Sequence, residues 1–382
     1  MKKTKKLQII LFFLLALVLL SSCQKTEVEP EELPEEIIEE TEKRISFLAV
    51  GDNLIHEPIY QFAKKQGGDV YDFTWAYEHM AETIAAADIS FLNQEVTVAG
   101  EEYIISTYPM FNSPRELAHH MAEIGFDIVN QATNHSMDSG MGALVDSLDL
   151  WNQLEVKVVG FFDADKGPIQ YLERDGLTFA FLGYNYGLNG FIVDDWQGYG
   201  MTFLEEEEKI LEDVRQARES ADFVIVSYHW GYEYHHHPNE EQLYLAELMA
   251  AENVDLVIGH HPHVIQPVDI LTRADGKEMP IFYSLGNFIS NQKDLVNLLG
   301  GMANLTFVAD QEGLRIEDIE LIPLVTHYDV NFEHTIVLPL TEYTEEQALL
   351  HGLHQYGDQF TLDLLWNLYE YVIEPEYRIT SN

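Results

Sequence analysis

The stretch Val257-Ile258-Gly259-His260-His261-Pro262-His263-Val264 joins the end of an apolar run to three imidazoles within four residues. The run begins at Val254 and predicts a buried strand, and Gly259 permits a tight exit from it. Pro262 stiffens the loop between the two histidines that flank it. Two histidines at positions i and i+2 of a stiff loop can reach one metal ion or two adjacent ions. The alternative is a polar surface loop that happens to be rich in histidine.

Polar residues also follow the other predicted strands. They are Asp52, Glu95, Asn134 with His135, His229, and then His260, His261 and His263. Predicted helices alternate with these strands, which indicates parallel strands joined by right-handed crossovers. Because the carboxyl ends of parallel strands meet at one edge of a sheet, we expect these side chains to lie together there.

The expected donor set combines carboxylate and amide oxygens with imidazole nitrogens and contains no thiolate. This chemistry favours Mn, Fe, Zn or Mg over a structural zinc site, with one or two divalent ions bound. The predicted metal ligands are Asp52, Glu95, Asn134, His229, His261 and His263. Two ions can activate water and clamp a phosphoryl group. His135 is the predicted proton donor to the leaving oxygen, and His260 is a second candidate catalytic residue.

Several of these residues have ordinary structural explanations that the sequence leaves open. Asp52 can close a turn, and Glu95 can pair with a lysine. His229 precedes Trp230 and can be a core histidine. Residues 235–237 are all histidine, but they are expected to lie in a loop after Tyr234 and to be solvated.

The charge of the chain restricts its partners. The 382 residues carry a formal net charge of −44. This charge argues against nucleic acid and against anionic membrane surfaces as partners of the folded domain, because both require positive charge. An anionic ligand needs a local counter-charge, such as a bound cation.

The N-terminus has the pattern of a lipoprotein signal peptide. Lysines precede an apolar run over residues 7–20, and Leu20-Ser21-Ser22-Cys23 follows with the only cysteine. This resembles the lipobox, in which cleavage leaves Cys23 lipidated, and the run is short for a membrane span. An uncleaved anchor is the alternative. We therefore expect a signal peptide over 1–23, an acidic linker over 24–44, and attachment to the outer face of the cytoplasmic membrane.

Six ordered motifs resemble those of the CapA family of capsule, or poly-gamma-glutamate, synthesis proteins. They are Gly51-Asp52, Asn93-Gln94-Glu95, Thr133-Asn134-His135 with Asp138, His229-Trp230-Gly231-Tyr232-Glu233, Gly259-His260-His261-Pro262-His263-Val264 and Ser284-Leu285-Gly286-Asn287-Phe288. The family is similar to calcineurin-like metallophosphoesterases. The resemblance therefore implies a four-layer α/β/β/α sandwich over residues 45–330, and we expect a helical C-terminal appendage over 331–382.

The resemblance also implies a function in making or exporting an anionic polyglutamate capsule. Its implied partners are capsule synthase membrane subunits, and its implied ligand is an anionic polymer or a phosphate ester. The chain departs from the phosphoesterase pattern at Leu54, which replaces a histidine, and at Ser136, which replaces an acidic residue. Three interpretations follow: a capsule accessory with a metal-binding phosphoesterase-like domain, a free-standing extracellular phosphoesterase, or a non-catalytic scaffold.

Overall fold

Two β-sheets lie face to face at the centre of the molecule, and helices cover the outer face of each. The computed structural model describes residues 42–379. In chain order the strands are β1 Lys43–Asn53, β2 Ile89–Asn93, β3 Ile128–Asn130, β4 Lys157–Val159, β5 Phe162–Asp163, β6 Gln170–Arg174, β7 Leu177–Asn185, β8 Tyr199–Gly200, β9 Phe223–His229, β10 Leu256–His260, β11 Val268–Thr272, β12 Glu278–Phe282, β13 Asn287–Ile289, β14 Leu299–Asp310, β15 Gly313–His327 and β16 Ile336–Pro339. The helices are α1 Glu57–Gly67, α2 Thr74–Ala86, α3 Glu116–Ile124, α4 Gly140–Gln153, α5 Glu207–Ser220, α6 Glu240–Ala251, α7 Leu295–Leu298, α8 Glu345–Leu350 and α9 Leu362–Val372.

The strand order groups the parallel strands together in each sheet, on one side of the first sheet and in the middle of the second. The first sheet has the order β16-β15-β14-β1-β2-β3-β4, with β13 also paired to β1, and the second has the order β11-β12-β10-β9-β7-β6. The strands β1 to β4 are parallel, and so are β7, β9, β10 and β12. Antiparallel strands flank both groups. The carboxyl ends of the parallel strands therefore lie together at one edge.

Alternation along the strands produces the four layers. On β1, Phe47 and Ala49 point into the core between the sheets, whereas Leu48 and Val50 pack against helices of the outer layer. The second sheet repeats this pattern, with its outer-facing side chains packed on α5 and α6. Successive side chains of a strand point to opposite faces of the sheet. Because both faces are buried here, successive positions must be apolar. The predicted four-layer α/β/β/α sandwich is confirmed.

The segment after residue 330, for which we predicted a helical appendage, also contributes a strand to the first sheet. Strand β16 extends the edge of the first sheet by pairing with β15, where Ile336 lies opposite His327. Helices α8 and α9 do form, but Leu365 and Tyr369 belong to the same core that lies between the sheets. The Tyr369 hydroxyl also donates to the carbonyl of Leu321 at 2.6 Å. A short strand and a buried helix face tie this segment to the domain.

The N-terminal predictions fall almost entirely outside the described residues. The predicted signal peptide, Cys23 and most of the acidic linker precede residue 42, and β1 already begins at Lys43 rather than after residue 44. Among residues 42–379, no helix has both the length and the apolarity needed to cross a membrane.

Candidate metal centre

The edge where the parallel strands end brings the six predicted metal ligands together. Asp52 lies at the end of β1 and His229 at the end of β9, while Glu95 follows β2 by two residues. All six are at most 3% exposed: Asp52, Glu95, Asn134, His229, His261 and His263. Water therefore cannot readily satisfy these polar groups, and their partners must be other protein groups or a bound ion.

Two groups of donors share one carboxylate. Asp52, Glu95 and His263 each offer a ligand atom within 4.8 Å of the others, and so do Glu95, His229 and His261. A third such group combines His261 and His263 with the exposed Glu233. Glu95 thus lies between two potential ion positions, which is the geometry in which a carboxylate can bridge two ions.

Hydrogen bonding leaves several of these donors without partners. Neither carboxylate oxygen of Glu95 accepts a hydrogen bond from any described residue. The neighbour of Asp52 Oδ2 is His263 Nδ1, at 3.0 Å. The Nδ1 atoms of His229 and His261 also lack partners within residues 42–379. An unpaired buried carboxylate is very unfavourable unless a cation compensates it. The donor types suit Mn, Fe, Zn or Mg, so the residues present fit a divalent ion.

The charges of the site respond strongly to burial. Burial raises the pKa of Glu95 well above its ordinary value. Burial alone would lower the pKa of His263, but Glu95 and Asp52 outweigh it and raise this pKa to about 10. For Asp52, the favourable contact with His263 outweighs burial and lowers the pKa. Without an ion, the His263 imidazolium therefore balances the carboxylates, and a bound cation would take over that role.

His229 and His261 are held in the neutral form that metal binding requires. Burial lowers the pKa of His261 to about 3, assisted by the nearby His263. Burial and the surrounding imidazoles lower the pKa of His229 well below its ordinary value. The Nε2 atom of His229 lies 2.9 Å from Asn134 Oδ1, which places the amide beside the second donor group. Neutral imidazoles are good ligands because no proton has to be displaced.

The loop after β10 holds its histidines in an unusual backbone conformation. His261 has φ of 96° and His263 has φ of 57°, a region that residues other than glycine rarely adopt. Each such residue costs about 1–3 kcal/mol and persists only where its surroundings enforce it. The Asn297 side chain donates to the His263 carbonyl at 3.0 Å, and the Tyr234 amide donates to the Pro262 carbonyl at 2.8 Å.

Gly259 serves a purpose different from the tight exit that the sequence suggested. A Cβ atom at this position would lie 2.0 Å from the Tyr283 carbonyl oxygen and 2.5 Å from Trp230 Nε1. The indole of Trp230 in turn donates to that carbonyl at 2.9 Å. Glycine is required because the neighbouring strand and the indole approach β10 closely, and not because the chain turns there.

A line of buried amides at the strand ends supports Asp52, and sequence reasoning did not assign it a role. Asn93 at the end of β2 donates to Asp52 Oδ1 at 2.8 Å, and Asn130 at the end of β3 donates to Asn93 Oδ1 at 2.7 Å. Asn287 Oδ1 lies 3.0 Å from His263 Nδ1. Asparagine at the ends of adjacent parallel strands is the signal that could have revealed this network.

His135 and Asp138 form a hydrogen-bonded pair at the border of the site. Asp138 Oδ2 lies 2.7 Å from His135 Nδ1 and accepts a second hydrogen bond, also 2.7 Å long, from the Phe111 amide. The Phe111 ring packs edge-on against the imidazole, with 4.8 Å between ring centroids. A carboxylate on Nδ1 fixes the orientation of the imidazole and leaves Nε2 for a ligand.

His260 lies behind the site rather than in it. Its side chain is fully buried and stacks on Phe91, with ring centroids 5.9 Å apart. Its Nδ1 atom lies 3.9 Å from Asp52 Oδ1, and it belongs to none of the ligand groups found among the described residues. The catalytic role of His260 therefore stays a prediction, and its nearest charged neighbour at the site is Asp52.

A cavity of about 450 Å³ opens beside the donors. Asn134, His135 and His263 line it together with Glu233, a residue that sequence reasoning did not single out. Tyr186 was also missed, and its ring lies 4.5 Å from that of His261. Residues 235–237 contribute no donor to the groups described above.

The fold and the site together define an α/β sandwich that carries carboxylate and imidazole donors at its strand ends. Residues 46–292 match the family described as bacterial capsule synthesis protein PGA_cap, and the chain belongs to this family. The resemblance to CapA proteins is thereby confirmed.

Two curated relatives support the same assignment. The chain is 32% identical over 184 residues to the PGA biosynthesis protein CapA of Bacillus subtilis (strain 168), which covers 45% of this chain and 44% of that protein. It is 26% identical over 370 residues to the capsule biosynthesis protein CapA of Bacillus anthracis, which covers 91% of this chain and 85% of that protein. The match to the Bacillus subtilis protein thus spans less than half of that relative's length.

Two solved structures illustrate the similarity of the fold. One is the 5'-nucleotidase precursor of Thermus thermophilus, with a TM-score of 0.44 and 13% identity over 82% of this chain and 59% of that one. The other is a phosphatase from Mycoplasma pneumoniae, with a TM-score of 0.44 and 11% identity over 75% of this chain and 95% of that one.

Proposed function

We propose that this protein supports the synthesis or export of a poly-gamma-glutamate capsule through metal-dependent chemistry on the outer face of the cytoplasmic membrane. Family membership and the printed names of the two relatives support the link to the capsule. The observation that carries the metal-dependent part is the buried carboxylate of Glu95, which lacks hydrogen-bond partners among the described residues and lies between two groups of donors.

The described residues have separable tasks in this proposal. Asp52, Glu95, Asn134, His229, His261 and His263 would hold one or two divalent ions. Such an ion supplies a Lewis acid and lowers the pKa of a bound water. Asp138 orients the His135 imidazole, and His135 donates a proton from Nε2 to the leaving oxygen. Asn93 fixes the Asp52 carboxylate for binding.

The location belongs to the proposal as well. A lipid on Cys23 would tether the domain, and residues 24–41 would form an acidic spacer that keeps it away from an anionic surface. Capsule synthase membrane subunits would then be within reach. A variant in which residues 1–23 are replaced by a signal peptide that is cleaved without lipidation tests this directly, because it is expected to appear in the membrane-free fraction while cells lose surface polymer.

The central experiment is complementation of a gene deletion in the host. Surface polymer is expected to disappear or shorten on deletion, to return with the wild type, and not to return with His261→Ala. His351→Ala is the matched control, because it also removes a buried histidine but lies outside the site. Unchanged polymer after deletion counts against a role in the capsule. Full rescue by His261→Ala would instead favour a non-catalytic scaffold.

The pair His135 and Asp138 favours a second candidate, a free-standing phosphoesterase. A scaffold has no need of an oriented imidazole beside a cavity. The protein is then expected to hydrolyse an aryl phosphate when Mn²⁺ is supplied, and His261→Ala should abolish turnover. Asp138→Asn should lower the rate by about ten- to a hundredfold without changing metal content. Turnover combined with normal capsule in the deletion strain would select this candidate.

A further inference from the structure

We infer that the cavity beside the metal centre takes a phosphate ester whose other half is apolar or aromatic, and does not take a segment of polyanionic chain. This inference rests on the proposed metal-dependent function and specifies its substrate class. It depends on the composition of the cavity wall and on where that wall lies relative to the donors.

The first observation is the charge of the wall. No described residue that lines the cavity is a lysine or an arginine, whereas Asp138 and Glu233 contribute carboxylates. The bound ion is therefore the main positive charge that a ligand would meet, and it can neutralise one phosphate. A polyglutamate segment carries one carboxylate on every residue. The carboxylates that do not contact the ion would be repelled by Glu233 and by a protein of net charge −44, with no cation beside them.

The second observation is the apolar character of the remaining wall. Tyr108, Met110, Phe111, Phe191 and Tyr234 come from three separate loops and meet around the cavity. Tyr108 is 75% exposed, Tyr234 51% and Phe191 41%. Large apolar side chains left in water around a polar site are typical of a surface that a ligand covers.

The third observation is the short distance between this wall and the reactive groups. Phe111 packs on His135 with 4.8 Å between ring centroids, and the Tyr234 ring lies 6.1 Å from that of His263. A phosphate at the donors would thus hold its attached group against aromatic rings. Stacking on such rings is favourable for a planar group, and burial is favourable for an alkyl chain.

The second large cavity of the described chain shows a different chemistry. It has a volume of about 500 Å³, and its lining includes the cations Lys64 and Arg115 as well as the carboxylates Asp69, Glu101 and Glu116. The lysine and arginine side chains of this cavity therefore lie apart from the metal donors.

Binding of non-hydrolysable phosphonates to the full-length protein tests the inference. The protein is purified in detergent and loaded with Mn²⁺, and affinities for methyl-, phenyl- and hexylphosphonate and for a polyglutamate oligomer are measured by calorimetry. We expect phenyl- or hexylphosphonate to bind at least tenfold more tightly than methylphosphonate, and the oligomer to bind most weakly. A preference for phenyl identifies a planar group such as a nucleobase, and a preference for hexyl identifies a lipid-like chain.

Variants locate the preference in the wall. Tyr108→Ala and Phe191→Ala are each expected to reduce it about five- to tenfold, whereas Tyr371→Ala, a control that is 70% exposed on α9, should leave it unchanged. Equal affinities for the three phosphonates, or tighter binding of the oligomer, would overturn the inference while leaving the metal site intact. Failure of every phosphonate to bind the Mn²⁺-loaded protein would overturn the inference and the proposed function together.

Discussion

Two regions of this molecule bury several histidines, and they differ in how the imidazole nitrogens are used. At the strand ends, His229 and His261 each retain a nitrogen without a partner among the described residues. Near the C-terminus, both nitrogens of His351 are bonded: Nε2 lies 3.2 Å from the Thr326 carbonyl, and Nδ1 accepts from the Leu353 amide at 3.0 Å. His327 Nδ1 lies 2.7 Å from the Tyr343 hydroxyl.

The bonding of the imidazole nitrogens distinguishes the binding site from the structural cluster. The number of buried histidines does not distinguish them. The C-terminal histidines replace their hydration with protein groups, and the ring of His351 stacks on Phe360 at 3.8 Å between centroids. Their burial is therefore compensated without a ligand. The carboxylates at the strand ends are balanced only by the His263 imidazolium until a cation binds. The two regions should therefore respond in opposite ways to the same treatments.

The largest expected effect concerns metal affinity. His261→Ala should weaken binding of a divalent ion by more than about a hundredfold, because it removes a direct ligand and its effect should exceed the ten- to hundredfold typical of supporting residues. His351→Ala should leave the affinity unchanged. Elemental analysis of metal content and calorimetric titration measure both, and a loss of metal from His351→Ala would erase the distinction between the regions.

The second effect is on stability, and here His351→Ala is expected to have the larger effect of the two variants. His351→Ala removes a stacked, doubly hydrogen-bonded ring from the core, so it should lower the free energy of unfolding by about 2–3 kcal/mol. In metal-free protein, His261→Ala should not destabilise, because its ring is held there without a bonded Nδ1. Urea denaturation followed by circular dichroism gives both values. Equal losses in the two variants would contradict this prediction.

The third effect is a pH dependence located in the C-terminal cluster. Burial, assisted by His327, lowers the pKa of His351 to about 3, whereas an unfolded histidine titrates near 6.5. Below pH 6.5 the unfolded state binds the extra proton, so stability present above that pH is lost as the pH falls toward 3. At pH 5 the His351 side chain should lower the free energy of unfolding by about 2 kcal/mol. In His351→Gln the free energy of unfolding should fall between pH 7 and pH 5 by about 2 kcal/mol less than in the wild type. Identical pH profiles of stability in the two proteins would show that His351 is not the cause.

The smallest effect concerns removal of the ion. With free metal at ten times its dissociation constant, chelation should lower the free energy of unfolding of the wild type by about 1.4 kcal/mol. The same loss is expected for His351→Ala, because its metal site is intact. His261→Ala should show no loss. Thermal denaturation with and without chelator measures these differences, and a chelator effect that persists in His261→Ala would place the ion elsewhere.

Much of the fold and the donor set could be predicted because both depend on local patterns. A strand buried on both faces is an apolar run, and a polar residue directly after it must lie at the sheet edge. Asp52, His229 and His261 were found in this way. The position of the His260 ring could not be predicted in this way, because a side chain at a strand end can point either between the sheets or toward the site, and only the register decides.

The remaining features depend on contacts between segments that are distant in the chain. Strand β16 has only four residues, and its place beside β15 follows from tertiary packing. The roles of Asn93 and Asn130 appear only when adjacent strands align their ends. The cavity wall depends on where the loops that carry Tyr108 and Phe191 meet, and no periodic pattern encodes that position.

The pairing of the first strand determines when the domain can close during synthesis. β1 lies between β2 and β14, so one of its neighbours consists of residues 299–310. The sheet cannot be completed until most of the chain has left the ribosome or a translocation pore, and pairing over such a separation is slow. Until then one edge of β1 stays unpaired, and an unpaired strand edge is open to pairing with wrong partners.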